Sequence, residues 1–517
     1  MCIRDSPRYT NGGAGQVRLS LVGCSFARVD SRTRVFHSSL GRIPTKAPGS
    51  WGFYAETISI RAPLSRLSSL PMAKIRSIQD VAERHMCTGC GACAYMQPDA
   101  IRMVDDLGQG RRPLVAADVR TEDALQACPG VLQEHDYDPN LEGLEGELSE
   151  HWGPVLGMWE GFAADDEIRW LGSSGGAATA LSLFAIQEAG FHGVLHVGAR
   201  EDVPWLNRTI LSQTREDLVA ATGSRYAPAS PCDGLASVEA APAPCVMIGK
   251  PCDITGARRA AALRPALDEK LGLTIAIFCA GAPSTQGTLE MAERMGFPER
   301  GQVDGLRYRG KGWPGNAEVT GLDGEGQARE SRMTYAESWG KILQKHRPWR
   351  CYVCADHTGE FADIAVGDPW YREIPEGEAG RSLVIARTER GRRFLERALA
   401  AGVLSAEPAA AHLLPAAQMN LLRTRGAVWG RSWACRLLGV AAPRLRRMAT
   451  FSAWRRHLTW KMRAQSFYGT WKRVFTKGLY KRRPVQEADV AAAVAERAQS
   501  LASRSNTGQS SEGKVRS

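Results

Sequence analysis

Three cysteines in seven residues, Cys87-Thr88-Gly89-Cys90-Gly91-Ala92-Cys93, constrain this chain more than any other feature, because their spacing wraps a loop around one shared object. Thiolates and backbone N–H groups face a single anionic centre only if the loop curls, and Gly89 and Gly91 give it that freedom. C-x2-C-x2-C supplies three corners of an iron–sulfur cube. In the usual run a fourth Cys follows three residues later and precedes Pro, whereas Gln97 stands there before Pro98. Cys128, in Ala127-Cys128-Pro129-Gly130, is the next cysteine and keeps the Cys-Pro context, so it is assigned as the fourth ligand. Zinc in an all-thiolate site and disulfides in a secreted domain are the competing uses of such thiols. Three ligands from one short loop crowd a zinc tetrahedron, which ordinarily draws pairs from two knuckles, so iron–sulfur is the preferred reading.

At 517 residues the chain has room for two to four domains. Its 13 cysteines lack a secretory framework, which implies a reducing compartment and a cytoplasmic location. The net charge of +11 resembles that of a nucleic-acid binder, but its distribution argues otherwise. Residues 1–71 carry 10 Lys/Arg against 3 Asp/Glu, residues 441–486 carry 13 against none, and residues 72–440 carry 39 against 48. The body is acidic, and no specific nucleic-acid partner is expected. Residues 1–71 are Arg-, Ser- and Gly-rich without periodicity; they read as a translated artefact in preference to a transit peptide, with Met72 as the natural start. A short amphipathic stretch follows from Ile78 to His85.

At the other end, Trp454, Leu458 and Met462 fall at helical spacing among Arg455, Arg456, Lys461 and Arg463. Phe467, Tyr468, Trp471, Phe475 and Tyr480 continue the pattern among Lys472, Arg473 and Lys477. Such a helix either lies on an anionic membrane at the inner surface or packs its Trp face onto the body. After Pro484 a short helix and a disordered end are expected.

Between these ends, Gly193–Val197, Cys245–Gly249, Leu273–Phe278 and Leu383–Ala386 read as strands, and Ala177–Glu188, Thr255–Leu263, Thr285–Met295 and Glu389–Ala401 as helices. The alternation predicts an α/β core. Gly172-Ser173-Ser174-Gly175-Gly176 precedes a helical run, so free N–H groups there suit an anion such as a flavin phosphate, or simply an ordinary cap. Gly223-Ser224-Arg225-Tyr226 and the denser Arg307–Gly315 loop offer guanidinium and ring, for phosphate pairing or stacking, or as solvated loops. Cys252 and Cys279 follow strand ends, and Cys351-Tyr352-Val353-Cys354 forms a C-x2-C knuckle before a hydrophilic loop. Together they make a second four-thiolate set, with buried structural thiols as the alternative for Cys252 and Cys279. Cys232, Cys245 and Cys435 show no partner pattern.

The cysteine loop at Cys87, Ser174-Gly175-Gly176, Ser224-Arg225-Tyr226, Gly249-Lys250-Pro251-Cys252-Asp253-Ile254, Phe278-Cys279, and Cys351-x2-Cys354 with Ala362–Asp368 resemble, in that order, the coenzyme F420 hydrogenase/dehydrogenase beta-subunit family over roughly residues 75–405. The resemblance implies a flavoprotein oxidoreductase with FAD and one or two 4Fe–4S clusters, passing electrons between a one-electron donor such as ferredoxin and an organic, small-molecule or lipid-linked substrate. The alternative it carries is an electron-transfer subunit of a larger hydrogenase or dehydrogenase, using F420 or another carrier, with a partner oxidoreductase subunit and no substrate of its own. It implies Ser174, Gly175, Gly176, Ser224, Arg225, Tyr226 and Lys250 as the flavin pocket, with Lys250 stabilising reduced flavin and Asp368 and His357 as proton carriers. The expected architecture is α/β, α+β overall: a leader (1–71), a small ferredoxin-like iron–sulfur module (72–155), an α/β flavin-binding core with the second cluster (156–440), and a basic helical tail (441–517).

Overall fold

Four aliphatic runs form the parallel centre of an eight-stranded sheet in the computed structural model: Val194–Ala199, Cys245–Gly249, Leu271–Ile277 and Ile364–Gly367. The structure describes residues 74–498 apart from 324, 374 and 376, so the leader reading and the end of the tail lie outside the described residues. Antiparallel strands extend the sheet, Asn207–Ser212 at one edge and Ser382–Ala386, Gly157–Ala163 and Leu404–Pro408 at the other. The sheet is therefore mixed, within the expected α/β class.

The central strands are buried on both faces, which is why they read as continuous apolar runs and not as alternating ones. Val246, Ile275, Ile364 and Val384 face one layer, built on the helices Ala177–Gln187 and Glu389–Ala400. Met247, Ala276, Ala365 and Ile385 face the other, which includes Ile254, Ala257 and Ala260 of the helix Pro251–Ala261. That helix begins four residues before the expected Thr255, because Pro251 occupies its first position, where a missing N–H costs nothing, behind Lys250 at the cap.

Before the sheet lie the helices Ile78–Glu83 and Ala92–Met96, the hairpin Ile101–Asp106 with Gly110–Val115, and the helix Glu122–Gln126. The C-terminal segment folds back onto them: Arg444–Arg446 pairs in parallel with Leu132–Glu134. Ser466, Thr470 and Val474 are the buried face of the helix Trp460–Thr476, which crosses the helix Leu413–Leu437 closely enough that a side chain at Gly430 would strike Ser466. Trp454 and Phe467 pack around Trp429, as the body-packing reading of the tail expects, while Trp460 and Tyr468 remain 78% and 74% exposed. Among the described residues no helix is long and apolar enough to cross a membrane.

Candidate functional site

Parallel strands deliver their C-terminal ends to one edge of a sheet, the usual place for a ligand in an open α/β fold. Here Cys245–Gly249 ends at Lys250, Leu271–Ile277 leads to Cys279, and Ile364–Gly367 leads to Asp368. A cavity of about 280 Å³ opens at that edge, and its wall includes Ser174, Gly176, Ser224, Arg225, Tyr226, Lys250 and Asp368. Gly176 caps the helix Ala177–Gln187 at φ +75, so the free N–H groups of Ala177, Ala178 and Thr179 open onto the cavity. Gly175 stands behind this wall: its N–H donates to Ser382 Oγ, and a side chain there would meet Gly161 O and Ser382 N.

Two side chains do not have the freedom that the sequence suggests. Arg225 donates to Asn207 Oδ1 (2.8 Å), Leu306 O (2.8 Å) and Pro204 O (2.7 Å), so its guanidinium braces the loop and is already engaged when a phosphate arrives. Asp368 accepts from Ser174 Oγ (2.8 Å), Trp313 Nε1 (2.8 Å) and both Nη atoms of Arg309 (2.8 and 3.0 Å). Three of these bonds converge on Oδ1 and one reaches Oδ2, so the carboxylate is pinned through Oδ1 and paired with a buried guanidinium, an arrangement that suits a girder. Lys250 Nζ pairs with Asp253 at 2.6 Å. Burial opposes its charge, yet the Asp253 carboxylate raises the Lys250 pKa above the ordinary lysine value.

A second, smaller cavity lies directly beside the first. Cys252, Cys279, Cys351 and Cys354 all line it, joined by Cys87 and His357. Ala229, Lys250, Cys279, Gly281 and Ala282 belong to both walls. Burial pushes the thiols of Cys279 and Cys354 up to about 12 and about 11, and in each the charge of neighbouring thiols adds to the rise. Cys252 is raised too, by burial and then by Asp253, with Cys279 and Cys354 contributing. His357 lines this cavity and not the larger one, away from Asp368; its Nδ1 is 2.8 Å from Cys279 O, and burial lowers its pKa to about 4.

The first quartet is built around Gly91, which caps the helix Ala92–Met96 at φ +92 where a side chain would collide with Asp233 N. Cys87, Cys90, Cys93 and Cys128 are all buried, and burial followed by the charges of Cys87, Cys90 and Cys128 raises Cys93 well above the thiol range. Gln97 is tied elsewhere, donating to Arg120 O at 3.0 Å. Cys232 is a fifth thiol at this site: its N–H donates to Cys90 O (2.9 Å), and it hydrogen-bonds the Cys90 sulfur, lowering that thiol's pKa. Sequence spacing gives no hint of it. Arg309 is also new as a partner of Asp368, although the Arg307–Gly315 loop held the signal; the residue is buried and not solvated.

Residues 158–236 match the family model for the N-terminal part of the coenzyme F420 hydrogenase/dehydrogenase beta subunit, and residues 244–412 match the model for its C-terminal part. The chain is 25% identical over 260 residues to the beta subunit of the coenzyme F420 hydrogenase of Methanosarcina barkeri, covering 48% of this chain and 79% of that one. It is 26% identical over 322 residues to a subunit of the F(420)H(2) dehydrogenase of Methanosarcina mazei, covering 62% and 84%. A solved F420-reducing [NiFe] hydrogenase complex from Methanosarcina barkeri contains a chain that aligns at a TM-score of 0.43 and 22% identity, over 55% of this chain and 94% of that one. The second cysteine quartet falls inside the matched C-terminal segment, and the first lies upstream of both segments.

Proposed function

The chain belongs to the coenzyme F420 hydrogenase/dehydrogenase beta-subunit family, and from that premise we propose that it is the electron-transfer subunit of a larger oxidoreductase, with one-electron sites at its two cysteine quartets and a flavin in the adjoining cavity. The observation that carries the reading is the shared wall: a ring-sized cavity and a thiol-lined one meet at Ala229, Lys250, Cys279, Gly281 and Ala282. The subunit reading is favoured over a self-contained reductase because the relatives are named as subunits of a hydrogenase and a dehydrogenase.

The residues fit these groups. Within each quartet the thiols sense one another's charge, so each set lies near a common point. Three thiols from one seven-residue loop in the first quartet, and a C-x2-C knuckle with two strand-end thiols in the second, suit a cube better than a lone zinc. Cys87, Cys90, Cys93 and Cys128 would hold one cube and Cys252, Cys279, Cys351 and Cys354 the other. FAD would lie against Ser174, Gly176, Ser224 and Tyr226, its phosphates on the free N–H groups at the start of the helix Ala177–Gln187. Bound there, a flavin supplies two-electron chemistry beside sites that pass single electrons. Lys250, fixed by Asp253, places a cation at the partition, where negative charge on either side is stabilised. Asp368 and Arg309 hold the cavity's shape, and His357 orients the Cys279 loop through that carbonyl. The two-electron carrier is F420 or a related molecule, and ferredoxin is the expected one-electron donor. The exposed Trp460 and Tyr468 beside Lys461 and Lys472 support contact with an anionic membrane surface.

Iron, sulfide and flavin analysis of anaerobically purified protein, with EPR of the reduced state, tests this directly. About eight irons and one flavin per chain are expected; colourless protein containing zinc overturns the reading. Co-purification with a larger oxidoreductase, and dye reduction without a substrate of its own, are expected of a subunit; turnover of an organic substrate by the isolated chain restores the self-contained reductase.

A further inference from the structure

Arg350 stands between the two quartets and belongs to neither. It sits in the short helix Trp349–Tyr352 beside Cys351 and is only 2% exposed. Its Nη1 donates to Val353 O (3.3 Å), inside the Cys351–Cys354 knuckle. Its Nη2 donates to Pro129 O (3.1 Å), the residue after Cys128, and to Gln133 Oε1 (3.3 Å). One guanidinium therefore clasps the turn that carries the last ligand of the first quartet to the turn that carries two ligands of the second.

Each acceptor is neutral, two carbonyls and a carboxamide, so none cancels the charge of a cation that never titrates in proteins. The Nε is buried without a partner, and Arg350 also lines the thiol cavity with Cys87, Cys252, Cys279, Cys351 and Cys354. An unneutralised buried cation demands anions nearby; Asp356 lines the same cavity but already accepts from the N–H groups of Thr358, Gly359 and Glu360, which leaves the thiolates on either side.

We propose that Arg350 is the shared counter-cation of both iron–sulfur sites, a positioning residue that sets the reduction potential of each and fixes their separation. The proposal rests on the function above. With a cluster held in each quartet, an electron passing from one to the other would leave the total negative charge flanking Arg350 unchanged, so the residue would serve both sites without a proton having to accompany the electron.

The test is an EPR-monitored redox titration of the full chain, with iron and sulfide measured on every sample. Iron-free unaltered protein sinks the functional reading itself and is thereby told apart from failure of this proposal. In Arg350→Gln with its iron retained, reduction of both sites is expected to become at least about tenfold less favourable, a negative shift of 59 mV or more for a one-electron couple. Arg350→Lys, which keeps the charge but not the fork, is expected to recover most of that shift. Unmoved potentials in Arg350→Gln, or a shift at one site only, overturn the shared role. If Arg350→Gln loses iron, the unaltered protein decides: with both sites reduced, spin–spin broadening of the two EPR signals is expected, and two independent, unbroadened signals overturn the proposal.

Discussion

The two cysteine quartets differ in how the chain builds them. Three thiols of the first come from one loop and are fully buried; the four of the second come from a helix start, a strand end and a knuckle about a hundred residues further along, and are half-buried. A local loop carries its geometry wherever it goes, because two glycines and a helix start are enough to form it. The second exists only once parallel strands have brought Cys252 and Cys279 to one edge beside the Cys351–Cys354 knuckle. The first is thus a property of a segment, and the second a property of the fold.

The widest separation between them is expected from single ligand losses. Cys93→Ser and Cys351→Ser should each remove about four irons per chain, and if the quartets are independent each variant keeps the other's EPR signal. Because the second quartet is half-buried, its iron should also be lost first to a chelator; equal loss rates would break the contrast. Asp368→Asn is next: it leaves Arg309 buried with half its fork unpaired, at a cost of roughly 3–5 kcal/mol, and should cut flavin retention at least tenfold while iron content stays unchanged.

Glu360 tests how the knuckle's loop is anchored. It contacts Arg425 and lies 2.7 Å from His135 Nε2, joining the loop after Cys354 to the helix Leu413–Leu437. Burial alone would raise its pKa, but Arg425 and then His135 hold it down at about 2. The carboxylate's contribution is therefore complete above its ordinary value near 4.5 and disappears as the pH falls through about 2. Glu360→Gln should lower unfolding stability by about 3 kcal/mol at neutral pH, and the gap from the unaltered protein should close over that acid range in denaturant titrations. The smallest effect is expected of Gln97→Cys: with Gln97 turned to Arg120 O, iron content should not change, and a gain in iron would show that Cys128 is not the fourth ligand.

These contrasts also explain what could be read from sequence. The strands and helices around the sheet fall within a few residues of their expected bounds, since burial on both faces leaves continuous apolar runs. The curl of the loop from Cys87 to Cys93, with Gly89 and Gly91 at positive φ, was legible from spacing alone. Arg225 was not: as a residue type it is a phosphate ligand, and only the fold shows Asn207, Pro204 and Leu306 consuming its donors. The bond from Arg309 to Asp368 spans 59 positions, and that from Arg350 to Pro129 spans 221, distances over which sequence pattern is silent. Gly175 shows a further limit, for a glycine that admits a neighbouring backbone looks the same in sequence as one that admits a ligand.

The partition shared by the two cavities has an evolutionary consequence. Ala229, Lys250, Cys279, Gly281 and Ala282 each face two compartments, so on the proposed function a substitution there answers to two occupants at once. Residues on the outer walls face one compartment and are expected to drift as partners and carriers change between lineages. The septum is not, and related chains with different carriers should vary around it while keeping its small side chains and its single lysine.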